Sequence, residues 1–311
     1  MDRPDRLVIA TRASPLALWQ AEHVRDRLCR AQPGLQVDLL RLSTRGDQVL
    51  DRSLAQIGGK GLFVKELEIA LADGRADLAV HSFKDVPMQL EARFEIGAVL
   101  EREDPRDCFV SGRFGGLEEL AQGGRVGTSS LRRELAVRIH YPSLQVGAVR
   151  GNVGTRLAKL DRGEFDALIM AAAGLKRLGM ADRIRAILPP AAFLPAPGQG
   201  ALAIEIRAGD RKVGARIAHL EHAATRAATS AERAVSRALG GNCQIPLAAY
   251  AEVENGRLSL RACAGSVALR QAVFGHASGP LDQAESLGQE VVAQMRAQGV
   301  ERLLAPAPEA A

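Results

Sequence analysis

The chain has 311 residues, of which 47% are hydrophobic and 25% are charged. This length favours two or three domains, and this balance of residues is typical of a globular protein and excludes wholesale disorder. No stretch of about 18 apolar residues occurs, so the sequence offers no transmembrane helix. The first ten residues carry four charges and lead into a predicted strand without an apolar signal core. We therefore expect a cytoplasmic protein with no membrane partner.

The positive charge is carried mainly by arginine. The formal net charge is +5, and only six of the 41 basic residues are lysine. A GC-rich genome explains this bias, and the functional alternative is bidentate recognition of carboxylate or phosphate groups. The isoelectric point of about 9.3 also suggests nucleic-acid binding. Because there is no helix-turn-helix or zinc-finger signal and only 4% of residues are aromatic, we expect no nucleic-acid partner.

The first two thirds of the chain alternate between strand and helix patterns. Strands are predicted at 6–10, 37–42, 77–80, 95–100, 108–110, 126–127, 144–149 and 167–170, with one more at 201–206. Helices are predicted at 15–31, 63–72, 130–140 and 153–160 and near Leu175. This alternation predicts an α/β fold with parallel sheets covered by helices on both faces.

The pattern changes after a group of prolines at 189–197. Helical segments between 211 and 239 lead to three strand-like runs, joined by Asn255-Gly256 and by Gly265-Ser266, at 247–253, 258–264 and 267–275. Asn-Gly between alternating runs is a strong hairpin signal. Together with a helix at 283–298, these runs predict a small C-terminal α+β domain with a three-stranded antiparallel sheet and helices.

Four polar stretches directly follow predicted strands, at 11–14, 81–85, 127–133 and 150–156. Ligands bind at the carboxyl ends of parallel strands in such sheets. Hydroxyl groups and arginines at a helix N-terminus form an anion site, although helix capping explains the hydroxyls at 128–130 equally well. Because two of the stretches carry arginines in the first helical turn, we interpret them as a site for several anions.

Asp85, next to Lys84, is a candidate catalytic carboxylate. The neighbouring cation favours its charged form, in which it can stabilise a developing positive charge or transfer a proton. The alternative is a turn residue before a Val-Pro pair. His81 is expected to pack or to form a hydrogen bond. His219 and His222 have a helical spacing without an evident third ligand, so no metal site is predicted.

The glycine-rich segment 58–61 and the cysteines complete the candidates. The segment lacks the phosphate-loop spacing, which excludes an ATP site and leaves a mobile loop over a pocket or a plain surface loop. No two cysteines form a C-x-x-C pair. Cys243 lies in a loop just after a glycine pair, where a large group can approach its sulfur, so it is the candidate for covalent chemistry. The other cysteines lie in predicted helices or strands: Cys29, Cys108 and Cys263.

Short blocks spread along the chain carry a family resemblance. They are TRASPLALWQ (11–20), TRGD (44–47), GGKGLFVKELE (58–68), VHSFKDVP (80–87), EREDPRD (101–107), VGTSSLRR (126–133), RGNVGTRLAKLD (150–161), AGLKRLG (173–179), PGQGAL (197–202) and the cysteine loop. In this order they resemble the porphobilinogen deaminase family from about residue 6 to 250. The last 50 residues match only in predicted architecture. One departure is Asn242, because many relatives have glycines directly before the cysteine.

The resemblance implies an enzyme of tetrapyrrole and haem biosynthesis. It would join four porphobilinogen molecules head to tail with release of ammonia and then release hydroxymethylbilane by hydrolysis. Its cofactor would be a dipyrromethane bound to Cys243 through a thioether, without a metal. The fold would comprise two lobes resembling periplasmic binding proteins, at 1–100 with 200–218 and at 105–195, and a third domain at 222–311. The partners would be porphobilinogen and the growing polypyrrole chain, and the family suggests a monomer.

The resemblance also assigns residue roles. Asp85 matches the catalytic carboxylate, which stabilises the cationic azafulvene left after loss of ammonia. Every pyrrole brings an acetate and a propionate, and six arginines match positions that bind them: Arg12, Arg132, Arg133, Arg150, Arg156 and Arg177. Other residues match positions that hold or cover the cofactor and growing chain: Ser14, Gln20, Lys60, Ser82, Lys84, Thr128, Ser130, Asn152 and Gly174. Phe63 offers an aromatic face near the pyrroles, with helix packing as an equal alternative.

A cytoplasmic two-lobed binding protein for an anionic small molecule is the alternative function. It explains the lobes and the arginine-bearing turns, but it requires neither Cys243 nor Asp85 nor a third domain. The intact mass distinguishes the two functions, because an enzyme of this family carries two pyrrole units and a binding protein has the mass of its sequence.

Overall fold

The computed structural model describes residues 5–44, 64–241 and 245–305. The chain divides into two compact units, Met1–Glu103 with Gly200–Arg226 and Asp104–Gln199 with Ala227–Ala311. Within the described ranges, no helix combines the length and the apolar character needed to cross a bilayer.

The described ranges contain thirteen strands and nine α-helices. The strands are β1 (Arg6–Arg12), β2 (Gln36–Leu42), β3 (Leu78–Ser82), β4 (Phe94–Val99), β5 (Asp107–Val110), β6 (Arg125–Gly127), β7 (Gln145–Gly147), β8 (Ala167–Ala171), β9 (Ala186–Ile187), β10 (Leu202–Arg207), β11 (Leu247–Glu254), β12 (Arg257–Ser266) and β13 (Gln271–Pro280). The helices are α1 (Pro15–Ala31), α2 (Lys65–Ala72), α3 (Leu131–His140), α4 (Val153–Asp161), α5 (Ala172–Arg177), α6 (Arg211–Ile217), α7 (Ala223–Ala238), α8 (Ala284–Ala297) and α9 (Val300–Leu304).

The first unit contains a five-stranded sheet in the order β2-β1-β3-β10-β4. Strand β1 pairs in parallel with β2 and β3, whereas β10 is antiparallel to β3 and β4. Helices α1 and α6 pack on one face around Ile9 and Val80, and α2 packs on the other around Ala10 and Ala79. Because both faces are covered, the interior positions of the central strands are mainly apolar.

The second unit contains a sheet in the order β7-β6-β8-β5-β9. Strand β6 is parallel to β7 and β8, and β5 is antiparallel to β8 and β9. Alternate residues of β5 contribute to apolar clusters on opposite faces: Cys108 packs with residues of α4 and α5, and Phe109 packs with Val137 of α3. Helix cover on both faces is thus confirmed in both sheets.

The parallel pairing is confirmed for the first three strands of each sheet, but each sheet also has an antiparallel strand in its fourth position, which was not predicted. These strands are β10 and β5. Both are buried, so their apolar pattern is the same as that of a buried parallel strand. Only the tertiary pairing distinguishes the two directions. Strand β9 was not predicted, because two residues are too short to form a pattern.

The C-terminal part of the second unit contains the predicted antiparallel sheet, in the order β11-β12-β13, with α7 and α8 on one face. Asn255 and Gly256 both have positive φ, as a tight hairpin turn requires. The predicted second turn at Gly265-Ser266 is wrong, because β12 continues through Ser266 and the chain turns at 267–270. Gly265 serves close strand approach instead, since a Cβ there would lie 2.1 Å from the Gln271 carbonyl oxygen.

Candidate active site

The ends of β1 and β3 bring five of the candidate residues together in the first unit. Because these strands are parallel neighbours, their carboxyl ends lie side by side at one sheet edge. Arg12 and Ser82 are the last residues of the two strands, Ser14 and Asp85 lie in the turns that follow, and Gln20 lies on α1. All five line one pocket.

The neutral polar groups of this pocket are held by the chain itself. Gln20 is 2% exposed, and its Nε2 donates a hydrogen bond of 2.7 Å to the Ser82 Oγ. The Ser14 side chain caps α1 by accepting a hydrogen bond from the Ala17 amide, with Pro15 at the first helical position. These side chains therefore have defined positions at the sheet edge.

The Asp85 carboxylate is exposed at the end of a short 3₁₀ turn, Phe83–Asp85. The turn is closed by the backbone, with the Val86 amide donating to the Phe83 carbonyl oxygen at 3.2 Å. Within the described residues, no hydrogen bond or ion pair engages the Asp85 side chain. The alternative of a structural turn residue therefore has no side-chain hydrogen bond to support it. Lys84 is half-buried.

A buried acid–base pair also borders this pocket, and its acid was not predicted from the sequence. His81 lines the pocket, and its Nε2 lies 2.9 Å from the Glu205 Oε2, with side chains 4% and 0% exposed. Burial, followed by the charge of Glu205, raises the pKa of the nearby Glu68 carboxyl. Glu205 is a lone acid within the apolar run of β10, and this was the signal that could have found it.

Asp107 is the centre of a buried ionic cluster in the second unit. Arg132 donates to its carboxylate from Nη1 at 2.6 Å and from Nη2 at 3.1 Å, and Arg133 donates from Nη2 at 2.8 Å. The Gln199 Nε2 donates to the same carboxylate at 2.8 Å. Burial by itself raises the pKa of Asp107, but the charges and hydrogen bonds of the two arginines outweigh it and hold the pKa well below its usual value. The carboxylate is therefore charged at neutral pH.

Asp107 is an internal partner of Arg132 and Arg133, the two arginines that the resemblance predicts to bind carboxylates of the ligand. Arg132 and Arg133 are both buried, and with Asp107 they place two positive charges against one negative charge. The Nε–H groups of both arginines are buried and have no hydrogen-bond partner among the described residues. A buried donor without a partner is costly. The cluster thus has unused positive charge and unused donors.

Helices α3 and α4 begin at the carboxyl ends of β6 and β7, which are parallel neighbours. Asn152 caps α4, because its side-chain oxygen accepts a 2.9 Å hydrogen bond from the Thr155 amide. Ser130 is the N-cap residue of α3 but makes no side-chain capping bond; Thr128 Oγ1 accepts from the Ser130 amide at 3.2 Å instead. The Ser130 hydroxyl therefore remains at the positive end of α3.

The other candidate residues of the second unit lie at the same sheet edge, after β7 and β8. Arg150 follows β7, and Arg156 on α4 donates from Nε to the Gly151 carbonyl oxygen at 2.8 Å. Gly174 and Arg177 lie on α5, which follows β8 directly. All four candidates are half-buried. The carboxyl ends of three parallel neighbours thus collect cationic and polar groups at one edge.

Asp104 is a further acid that was not predicted from the sequence. Arg106 donates to it from Nε at 2.8 Å and from Nη2 at 2.9 Å, and Lys176 donates from Nζ at 3.0 Å. Burial raises the pKa of Asp104, but the Arg106 and Lys176 hydrogen bonds outweigh it and lower the pKa to about 2. The acid-rich segment 101–107 held this residue, but spacing did not distinguish it from its neighbours.

Three candidates lie outside the described residues: Lys60, Phe63 and Cys243.

Of the other cysteines, Cys108 and Cys263 are unreactive, because burial raises the pKa of each thiol to about 12. No group of three His, Cys, Asp or Glu side chains suited to a metal ion occurs in the described ranges. The His222 Nδ1 lies 2.8 Å from the Thr225 Oγ1.

Comparison with known proteins gives matches over nearly the whole chain. Residues 7–215 match the family described as "Porphobilinogen deaminase, dipyromethane cofactor binding domain", and residues 227–297 match "Porphobilinogen deaminase, C-terminal domain". The chain is 58% identical over 301 residues to a porphobilinogen deaminase of Bordetella parapertussis, covering 97% of this chain and 96% of the relative. It is 56% identical over 305 residues to that of Chromobacterium violaceum, covering 97% of each.

Among solved structures, a nutrient binding protein from Burkholderia cenocepacia bound to methionine is similar, with a TM-score of 0.43 and 14% sequence identity. The match covers 68% of this chain and 90% of that chain.

Proposed function

This chain belongs to the porphobilinogen deaminase family, and we propose that it joins four porphobilinogen molecules head to tail, releases ammonia at each addition and then releases hydroxymethylbilane by hydrolysis. One observation carries the proposal: an exposed Asp85 carboxylate lines the same pocket as Arg12, Ser14 and Gln20. Porphobilinogen has two carboxylates and an aminomethyl group that is cationic at neutral pH. A pocket that offers both a cation and an unengaged carboxylate suits this mixture of charges.

Asp85 is the residue to which we assign charge stabilisation. When the carbon–nitrogen bond of the substrate breaks, its electron pair leaves with ammonia and the pyrrole fragment becomes cationic. A carboxylate fixed beside that fragment stabilises the charge as it develops. Bond formation then releases a proton from the attacking pyrrole carbon. Because the Asp85 side chain is exposed, it can pass such a proton to solvent.

The arginines and hydroxyl groups provide partners for the acetate and propionate groups. In the first unit we assign this role to Arg12 with Ser14, Gln20, Ser82 and Lys84. In the second unit the excess positive charge of the Asp107 cluster and the free Ser130 hydroxyl support the same role. The contributing residues there are Thr128, Ser130, Arg132, Arg133, Arg150, Asn152, Arg156, Gly174 and Arg177. We also include Lys60 from the family resemblance.

The chemistry of these donors fits the dipyrromethane cofactor of the family. Its carboxylates require buried cationic donors, and the Nε–H groups of Arg132 and Arg133 are buried donors without a partner among the described residues. We assign its covalent attachment to the Cys243 sulfur through a thioether. When bound, the cofactor supplies the pyrrole carbon to which the first substrate is added.

We further propose a cytoplasmic monomer of three domains, at 1–100 with 200–218, at 105–195 and at 222–311. Three separate sheets support this division. The alternative of a two-lobed binding protein is not favoured, because the family match includes the C-terminal domain at 227–297, for which a binding protein has no use.

The intact mass of the purified protein tests the cofactor assignment. We expect the wild-type chain to exceed its sequence mass by two pyrrole units and to give the Ehrlich colour reaction. Cys243→Ser should fold, have the sequence mass and lose most activity, because a serine hydroxyl is a weaker nucleophile at neutral pH. Cys263→Ser is the matched control and should keep the added mass. An active wild-type enzyme with the unmodified mass would overturn the assignment.

The reaction itself is tested by incubating the loaded enzyme with porphobilinogen. Four molecules of ammonia should appear for each hydroxymethylbilane released. Binding of porphobilinogen without ammonia release would instead support the binding-protein alternative.

A further inference from the structure

Strand β13 is an edge of the C-terminal sheet, and two glutamine side chains occupy that edge. Strand β13 pairs with β12 on one side in the described sheet. On its other side, the His276 amide donates to the Gln294 Oε1 at 3.0 Å, and the Gln294 Nε2 donates to the His276 carbonyl oxygen at 2.9 Å. The Phe274 amide donates to the Gln298 Oε1 at 3.4 Å, and the Gln298 Nε2 donates to the Phe274 carbonyl oxygen at 2.7 Å.

Each glutamine therefore gives one strand residue the hydrogen bonds that a neighbouring strand would give. The spacing allows this, because side chains four residues apart on a helix are separated by about 6 Å along its axis. Strand residues two apart are separated by about 6.6–6.8 Å, so Gln294 and Gln298 match His276 and Phe274. Pro280 has the same strand parity and carries no N–H, so Ser278 has the one further amide donor between His276 and Pro280 at this edge.

The opposite edge of the sheet is closed by other means. On β11, the Ala249 amide donates to the Pro195 carbonyl oxygen at 3.2 Å, and the Ala251 amide donates to the Glu232 Oε1 at 2.9 Å. Glu232 is fully buried and also accepts from the Gly198 amide at 2.7 Å. Backbone amides of both edge strands thus donate hydrogen bonds to acceptors outside the sheet.

The sequence of β13 shows why its edge needs protection. The strand QAVFGHASGP contains no Asp, Glu, Lys or Arg, although charged side chains are the usual protection of an exposed edge. Phe274 is 57% exposed beside it. An uncharged strand paired with itself in antiparallel orientation forms a closed two-fold contact, so the partner that fits an open β13 edge is the same edge of a second copy.

We propose that Gln294 and Gln298 close the β13 edge against antiparallel pairing with a second copy of this chain. The test compares the double variant Gln294→Ala/Gln298→Ala with Gln289→Ala, a control at an exposed position of the same helix. Light scattering and sedimentation over a range of protein concentrations measure the association constant. We expect it to rise at least about tenfold in the double variant, because competing hydrogen bonds are lost.

Two further measurements make the test specific for the edge. In dilute monomer, the Phe274 and His276 amides should exchange hydrogen faster in the double variant than in the control. Adding Ser278→Pro to the double variant should reverse its association, because proline removes an edge donor. An association constant equal to that of the control, or association that Ser278→Pro leaves unchanged, would overturn the proposal. If the double variant does not fold, the two single variants are compared in the same way.

Discussion

The two five-stranded sheets share the order of their first three, parallel strands and have an antiparallel strand in fourth position, but the acids near the carboxyl ends of those parallel strands differ in environment. Asp85 in the first unit is exposed, and no described side chain engages it. Asp107 in the second unit is fully buried and accepts hydrogen bonds from two arginines and a glutamine. The first carboxylate is available to a ligand, whereas the second is committed to the fold.

The role of a carboxylate therefore follows from its solvent access and its partners. A buried carboxylate requires compensating charge, and its removal leaves that charge buried without a partner. An exposed carboxylate has no such structural cost, so its substitution can affect catalysis alone. Variants that change one acid or one of its partners distinguish these roles when their stability and activity are measured separately.

The largest effect is expected for Asp107→Ala. This change leaves Arg132 and Arg133 buried together without their shared counter-charge, and the loss of a buried partner typically costs about 3–5 kcal/mol. Urea denaturation measures the free energy of unfolding. Asp182→Ala, at an exposed position of the same unit, is the control and should change it by less than about 0.5 kcal/mol. A variant as stable as the control would contradict the structural role of Asp107.

Asp85→Asn is expected to reduce the rate with little change in stability. A preorganised electrostatic contact is worth about 3–4 kcal/mol, or about a hundred- to a thousand-fold in rate. Asp85→Glu keeps the charge but displaces it, so it should retain more activity than Asn. Single-turnover consumption of porphobilinogen by cofactor-loaded variants measures this. Asp73→Asn, another exposed acid of the first unit, is the control. A wild-type rate in Asp85→Asn would disprove the assignment.

Arg12→Leu and Arg132→Leu compare the cations of the two units in ligand binding and in stability. Arg12→Leu removes a cation from the pocket of the first unit, and Arg132→Leu removes the unpartnered Nε–H and the excess positive charge of the Asp107 cluster. Each change should weaken the binding of ligand carboxylates, at a cost on the order of 2–4 kcal/mol. Arg132→Leu should lower the free energy of unfolding more than Arg12→Leu does, because Arg132 is buried and donates to the buried Asp107. Porphobilinogen affinity and denaturation curves are measured for both. Equal destabilisation by the two changes would remove the distinction between the sites.

The smallest effect is expected for Asp104→Asn, which should change how the free energy of unfolding depends on pH in acid. The pKa of Asp104 is about 2 in the folded chain, below the ordinary 3.8, so it contributes stability that is complete above about pH 4 and is lost as the pH falls through 2. Asp104→Asn should lower stability at neutral pH and flatten its decline between pH 4 and 2. Denaturation midpoints over this range give the measurement. A decline as steep as that of the wild type would show that Asp104 does not contribute.

Much of the local structure was predictable because it depends on neighbouring residues. Helix α1 was predicted at 15–31 and is observed at Pro15–Ala31, since a proline at its start and an apolar stripe define it. The Asn255-Gly256 hairpin was predictable because few residues adopt positive φ. The glycine at 265 was misread as a turn, because a glycine that permits close strand approach has the same sequence signal as a glycine that permits a bend.

The helices and the strands other than β9, the polar groups that follow strands and the family resemblance could all be predicted from the sequence alone, since they are patterns along the chain. Tertiary structure decided the direction of β5 and β10 and the partners of the buried ions. Asp107 meets Arg132 across 25 positions, and Glu205 of β10 meets His81 of β3. Such pairings depend on which strands become neighbours and on how strongly burial penalises a lone charge, and neither is contained in local periodicity.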